Sequence, residues 1–590
     1  MNRIKNNTLP FPWLPYLVFF IFSFIFFGFF SDYVLFYQEK LSLFIFSSDF
    51  FIENLHQPGG FLIYLGKFFS TFFYNPLSGS LIVSVIIGLT ILVISKIITL
   101  LSGKEAKIFP FIIGAALFYL QADYRFLLYN NLGLLLQLSL FYVAIRYLTG
   151  SKGWGSVIIL PLWYYLTGGF AWFFSIILTI YFLYEKGKNG WLKVPAIWLI
   201  NLGIMYVSKE FLFFQTGKVL LIFPFSEINT GLQSLLFLSV AALLSLLPLL
   251  SGIKFRFPGK IRIPGFVADL AGISLLILLL ATIALIKFDK KDKHYFHVEK
   301  SFYENKFDEI ISYNTIKPPT NLLTIFLNNI ALCEKDKLDD ILFNFPQSPD
   351  GQTLFLKWEM VGEILKRGGY FYYTIGMPNE AHRWAFENMV MKGDSPEGMK
   401  MLLKTDLING NYKVASKYIS KLRKTLFYNS EARLYEKFLF DDTALDSDPE
   451  LGEKRRNRLK TDFFSITDDP YINIERILSV DSLNKKAYAY KLAFMLLRKD
   501  YKELETELPR LEHFGFTRLP THVEEAAVTF AAINNGVMPN TGKIQITRNT
   551  MARWEEYLRI LQLYGNDPRR AEPALRRQFG NTFWYWAVYR

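Results

Sequence analysis

The chain has 590 residues, 51% of them hydrophobic and 17% aromatic, and a formal net charge of +13. Its mean hydropathy of +0.21 is too high for a soluble domain and argues for membrane spans. The positive surplus lies between apolar runs rather than on one basic face, which excludes a nucleic-acid footprint, and the single cysteine, Cys333, excludes an intrachain disulfide framework or thiolate zinc site.

The charge divides the chain into two unlike halves. Residues 1–287 hold 20 basic and 10 acidic residues, and the remainder holds 45 and 42. Trp13–Phe30 is the first apolar run, preceded by Arg3 and Lys5; it is long and Phe-rich with no small-residue cleavage site after it, which predicts an uncleaved anchor. Further spans are predicted near 79–101, 108–121, 126–148, 154–167, 169–184, 191–207, 232–251 and 266–287, nine in all, with a joined or re-entrant reading of 154–184 open around Thr167-Gly168-Gly169. With the N-terminus inside, the cytoplasmic segments collect Arg3, Lys5, Lys96, Lys104, Lys107, Arg146, Lys152, Lys186, Lys188, Lys193, Lys254, Arg256, Lys260 and Arg262, and the opposite side only Lys40, Lys67, Arg125, Lys209 and Lys218. This asymmetry predicts a bacterial inner-membrane protein with its C-terminal half in the periplasm.

Between the first two runs lies an external loop, 31–78, with four of the ten acids of this half: Asp32, Glu39, Asp49 and Glu53. After Lys287 the composition turns to a charged linker, 288–299, and then to amphipathic helical periodicity over 300–590. Ile375–Glu387 and Asn409–Lys421 superpose at a spacing of 34 residues, placing Gly376 on Gly410, Ala381 on Ala415 and Trp384 on Tyr418. That is the tetratricopeptide period: a small residue lets two helices approach and an aromatic fills the gap beside it. Weaker copies read at 300–313, 328–343 and 484–504, so the half resembles tetratricopeptide-like α-solenoids. Asp441–Arg458 reads as a solvated loop interrupting the array, and the aromatic end Gly580–Arg590 as a capping helix or a binding face. The predicted fold class is all-α, a polytopic helical membrane domain followed by this solenoid.

No phosphate-binding loop, dinucleotide fingerprint, HExxH or GxSxG stands in a supporting context. His294 and His297 lack a cysteine or clear carboxylate partner, and no metal or cofactor is assigned. The chemistry-bearing stretches are Asp32…Glu39…Asp49…Glu53 with His56-Gln57-Pro58-Gly59-Gly60, and Gln121-Ala122-Asp123-Tyr124-Arg125 on the same predicted side. An acid-led external loop, a His/Pro element and an amphipathic run into the second span resemble the GT-C class of membrane glycosyltransferases, whose loop ends His-Pro-Pro-Leu-Gly. Gln57 interrupts that element here, and no acid pair opens the loop.

The resemblance implies sugar transfer from a polyprenyl-phosphate donor on the extracytoplasmic side. Asp32, Glu39, Asp49, Glu53 and Asp123 would be the candidate carboxylates, with Arg125 and His56 at the substrate. An amphipathic helix over Phe61–Phe73 would form the floor of the site. The whole chain also resembles multi-pass proteins of Bacteroides-type bacteria, which carry no function over. The alternative is a non-catalytic envelope scaffold whose repeat half binds a protein partner, because acids in an outward loop are readily solvated and Pro58-Gly59-Gly60 serves equally as a turn. Transport ranks below both, since the spans hold hardly any ionisable residue at mid-depth.

Overall fold

The computed structural model describes residues 11–104, 108–184, 190–225, 231–250, 265–358, 362–459 and 469–590. Among them every regular element is a helix, as the all-α class requires. Two compact units emerge, one of Met1–Asp289 with Lys424–Phe427, the other of Lys290–Arg423 with Tyr428–Arg590. Of the basic residues used for orientation, Arg3, Lys5, Lys107, Lys186, Lys188, Lys254, Arg256, Lys260 and Arg262 lie outside the described residues.

Among the described residues five helices of the first unit are long and apolar enough to cross a membrane: Pro76–Ser102, Leu128–Tyr147, Gly190–Leu212, Gly231–Leu249 and Phe266–Lys287. A sixth is added if Leu14–Phe30 and Asp32–Leu41, bent by 72°, count as one span. Pro76–Ser102 shows why such a helix forms. Asn75 caps it by accepting from the Leu77 amide, Pro76 occupies its first turn, and Gly103 ends it in the left-handed region. Its 27 residues reach about 40 Å.

The nine expected spans shrink because hydropathy does not register where the backbone leaves the helix. Phe109–Gln121 has 13 residues, about 20 Å, short of a hydrocarbon core of roughly 30 Å. The stretch 154–184 is cut into Trp154–Ile158, Leu160–Thr167 and Phe170–Tyr184.

The cut at Gly168-Gly169 is a junction of three backbones. Gly59, with φ +70°, precedes the Gly60–Thr71 helix, and its amide donates to the Tyr165 carbonyl at 3.1 Å. The Gly169 amide donates to the Phe223 carbonyl at 2.9 Å. The hydroxyls of Tyr129 and Tyr164 donate to the carbonyls of Pro224 (2.9 Å) and Leu220 (2.7 Å). A side chain on Gly59 would stand 2.8 Å from the Thr167 carbonyl carbon and the Gly168 nitrogen, and one on Gly168 2.7 Å from the Phe223 oxygen. The Pro58-Gly59-Gly60 turn is thus the point where the 31–78 stretch is fastened to the broken helix.

In the second unit the helices Glu363–Ile375, Pro378–Lys392, Pro396–Asn409, Tyr412–Arg423 and Asn429–Glu436 pack each on the next. The 34-residue register is that of two helical hairpins. Gly376 (φ +94°) and Gly410 (φ +77°) end the first helix of each pair, and Ala381 and Ala415 are fully buried where the helices touch. Trp384 is buried against Gly368, where a Cβ would lie 2.1 Å from its ring.

Packing is not confined to sequence neighbours. Lys485–Arg498 packs on both Leu322–Glu334 and Glu363–Ile375, and the Asn484 side-chain amide donates to the Ile375 carbonyl at 2.9 Å.

Two expectations are corrected here. The predicted linker 288–299 is largely helix, Lys290–Tyr303, with Tyr295, Phe296, Val298 and Glu299 buried. The predicted loop Asp441–Arg458 holds the helices Asp442–Ser447 and Leu451–Asn457, with Leu445, Leu451 and Lys454 buried. Both segments read as solvated because they are charged, yet Glu299, Glu450 and Lys454 within them pair with Arg367, Lys404 and Glu334, far along the chain. The aromatic end forms the helix Phe583–Tyr589 and packs inward. Phe583, Trp584, Tyr585 and Trp586 are buried, and the Phe583 amide and Trp584 Nε1 donate to the Glu525 carboxylate (2.8 Å) and carbonyl (2.9 Å).

Candidate functional site

Asp32 begins the Asp32–Leu41 helix just past the bend, in a first turn whose free amides and dipole favour a carboxylate. Further along this helix the buried Gln38 clasps the Gln121–Arg125 turn. Its Nε2 donates to the Phe126 carbonyl at 3.0 Å and the Tyr124 carbonyl at 3.4 Å, and its Oε1 accepts from the Leu128 amide at 3.3 Å. Tyr37 meets the Tyr124 ring edge-on at 4.7 Å. The Asp32 helix and the turn bearing Asp123 and Arg125 therefore form one assembly. Sequence reading selected both segments but missed Gln38, an uncharged residue among acids.

Asp123 is held by two neighbours. Asp123 Oδ1 accepts from the Arg125 amide at 3.1 Å, and Oδ2 lies 3.5 Å from Lys287 Nζ, which sits 4.1 Å from the centre of the Tyr119 ring. The cation beside Asp123 is thus Lys287, the last residue of an apolar helix. Arg125 is exposed and donates to the Tyr124 hydroxyl at 3.0 Å. Glu39 is buried, 3.4 Å from Lys40. Asp49 and Glu53 lie on the Ser48–Leu55 helix and His56 at its end; all three are exposed, and among the described residues their side chains make no hydrogen bond or ion pair. The structure docks the helix that Asp32 begins on the Asp123–Arg125 turn through Tyr37 and Gln38, and leaves these three exposed.

The second unit holds a cavity of about 340 Å³, a volume typical of ligand pockets, lined by Tyr303, Tyr370, Tyr373 and Tyr435 and by a set of lysines and glutamates. Lys404 Nζ lies 2.7 Å from Glu450 Oε1, which also accepts from the Tyr373 hydroxyl at 2.8 Å. Lys400 bridges Glu397 (3.0 Å) and Glu431 (3.4 Å). Lys454 pairs with Glu334 at 2.6 Å, and Lys486 with the same carboxylate and with Glu453 at 2.7 Å.

Burial works against the charge on Glu450, yet the Lys404 ammonium holds its carboxyl below the ordinary range; Glu334 is held down in the same way between Lys454 and Lys486. Burial pushes the Tyr435 hydroxyl up to about 12. Carboxylates this acidic are poor proton acceptors near neutral pH, so these two are suited to binding rather than to general-base work. Glu450 sits in the segment expected to be a loop, which is why sequence reading missed it.

A smaller cavity of about 160 Å³ is lined by Cys333, Asp339, Asp340 and Arg518. Burial pushes the Cys333 thiol far up, which removes it as a nucleophile. His294 accepts from or donates to Asn314 at 2.7 Å and His297 faces Glu309 at 3.4 Å; among the described residues no group of three His, Cys, Asp or Glu is placed to hold a metal.

The lowered carboxyl of Glu450 has a pH consequence. It contributes stability above the unfolded glutamate value of about 4.3, and that contribution is lost as pH falls through the lower folded value. Thermal unfolding should therefore show Glu450→Gln less stable than wild type at neutral pH, the gap closing below about pH 4. A gap unchanged on acidification would contradict the pairing with Lys404.

No curated protein and no solved structure matches the chain. Its sequence matches, over residues 9–590, a family of unknown function, DUF6057, and the chain belongs to that family.

Proposed function

We propose that the chain is an integral membrane protein of the bacterial cell envelope, and that its helical unit acts as a tetratricopeptide-like binding module, holding a segment of a partner protein in the tyrosine-lined cavity. The observation that carries this reading is the cavity itself. Each of its five glutamates is ion-paired with a lysine, so it presents hydroxyls, ring faces and residual hydrogen-bonding capacity to a ligand without offering a free carboxylate base. The five long apolar helices support the membrane placement, and an odd number of spans with the N-terminus inside would leave the C-terminal half periplasmic.

A second reading, glycosyl transfer from a polyprenyl-phosphate-linked sugar, is favoured by the docking of the Asp32 helix on the Asp123–Arg125 turn through Gln38. Asp32 would serve as the carboxylate, with Asp123 orienting the acceptor. Lys287 joins Arg125 as a possible phosphate partner.

One pair of experiments separates the two. A photo-cross-linking amino acid at Tyr435 in the cavity should give a discrete protein adduct in intact cells, and one at the exposed Lys417 should not. Equal labelling from both positions would remove the binding-module reading. If transfer is the function, Asp32→Asn should lower it roughly 10²–10⁴-fold, the usual worth of general acid–base help, with helicity unchanged; an unaffected rate would remove the second reading.

A further inference from the structure

The hairpin of Arg548–Leu563 and Pro568–Phe579 carries an arginine face that nothing above explains. Ala571, Leu575 and Phe579 recur every fourth residue and are buried, which fixes the inward side of the second helix. Arg569, Arg570, Arg576 and Arg577 are exposed. The seven-residue offset sets Arg576 above Arg569 and Arg577 above Arg570, about 10 Å along the axis. Arg570 pairs with Asp567 at 3.3 Å; among the described residues the guanidinium groups of the other three make no ion pair or hydrogen bond.

Helix stabilisation accounts for half of this. Arg576 and Arg577 lie in the last turn, where cations offset the dipole. Arg569 and Arg570 lie in the first turn, where a positive charge opposes it. The turn joining the two helices adds Leu563, 77% exposed, and Tyr564, 43% exposed. An apolar and an amphipathic side chain at the tip, backed by guanidinium groups that fit phosphate in a bidentate fork, is the combination that rests on a phospholipid surface.

We infer that this hairpin tip docks on anionic phospholipid. The inference rests on the membrane reading above, which alkaline carbonate extraction tests by itself: release of the chain from membranes would remove that reading, whereas retention leaves the hairpin to be decided separately. The full chain, carrying Tyr564→Cys labelled with an environment-sensitive fluorophore, is reconstituted in nanodiscs of phosphatidylcholine alone or with phosphatidylglycerol. Cys333 is buried and stays unlabelled.

The emission should shift to the blue only with phosphatidylglycerol, and revert in high salt. Each Arg→Ser change at 569, 570, 576 or 577 should lower the docked-to-free ratio about fivefold, and the fourfold variant should lose the shift at unchanged helicity. Equal emission in the two nanodiscs, or a shift that survives in the fourfold variant, overturns the inference.

Discussion

Arg367→Met should be among the most destabilising single changes in the helical unit, by about 3–5 kcal/mol. Arg367, on the Glu363–Ile375 helix, is completely buried, and its guanidinium faces Glu299 of Lys290–Tyr303, which is equally buried. Around the pair, the Tyr303 hydroxyl donates to the Glu299 carboxylate at 2.5 Å, Nη1 donates to the Glu363 carbonyl at 2.9 Å, and the Tyr295 ring lies 5.1 Å away. Burial alone would lower the Arg367 pKa, but the Glu299 carboxylate holds it well above its ordinary value, so the guanidinium stays charged.

Removing the guanidinium leaves the buried Glu299 carboxylate with the Tyr303 hydroxyl and the more distant Lys366 ammonium at 3.9 Å, which replace its short contact only in part. The melting temperature should fall by roughly 10 °C, whereas Arg367→Met with Glu299→Met should recover part of the loss, because two apolar groups remove the closest buried pair together while Lys366 and Glu363 lose a partner each. A loss within about 1 kcal/mol for the single variant would show that the pair is hydrated rather than buried.

Gly59→Ala should cost the first unit roughly 2–5 kcal/mol, the sum of two effects with different origins. At φ +70° an L side chain meets its own carbonyl, and the new Cβ would also stand 2.8 Å from backbone atoms of Thr167 and Gly168. Backbone cannot rotate away as a side-chain tip can, so the three-way junction must open. Gly88→Ala in Pro76–Ser102 is the control, since a Cβ there meets nothing within 4 Å and should be neutral or stabilising. The check is the yield and melting temperature of monodisperse protein in detergent; Gly59→Ala matching Gly88→Ala would mean that the junction does not bear on folding.

The helical class and the 34-residue recurrence were legible in the chain because each is a local property. Apolar runs, a change in charge density, and the recurrence of Gly376/Gly410 and Ala381/Ala415 need no knowledge of distant partners. Likewise Asp32 and the Asp123–Arg125 turn stood out as rare charges in an apolar half.

The tertiary structure decided what depends on partners far apart in sequence. Whether an apolar run stays one helix was settled at Gly168-Gly169, where carbonyls of 220–225 and the Pro58-Gly59-Gly60 turn take over backbone hydrogen bonds. Which charges are solvated was settled likewise. Glu299, Glu450 and Lys454 lie in stretches whose composition reads as linker or loop, and each is buried or half-buried against an opposite charge 46 to 120 residues away. Hydropathy and periodicity sum the properties of single residues along the chain. An ion pair or a shared backbone carbonyl is a property of two residues that only the fold brings together, and so Lys287 beside Asp123 and the cavity around Lys404 and Glu450 appear only in three dimensions.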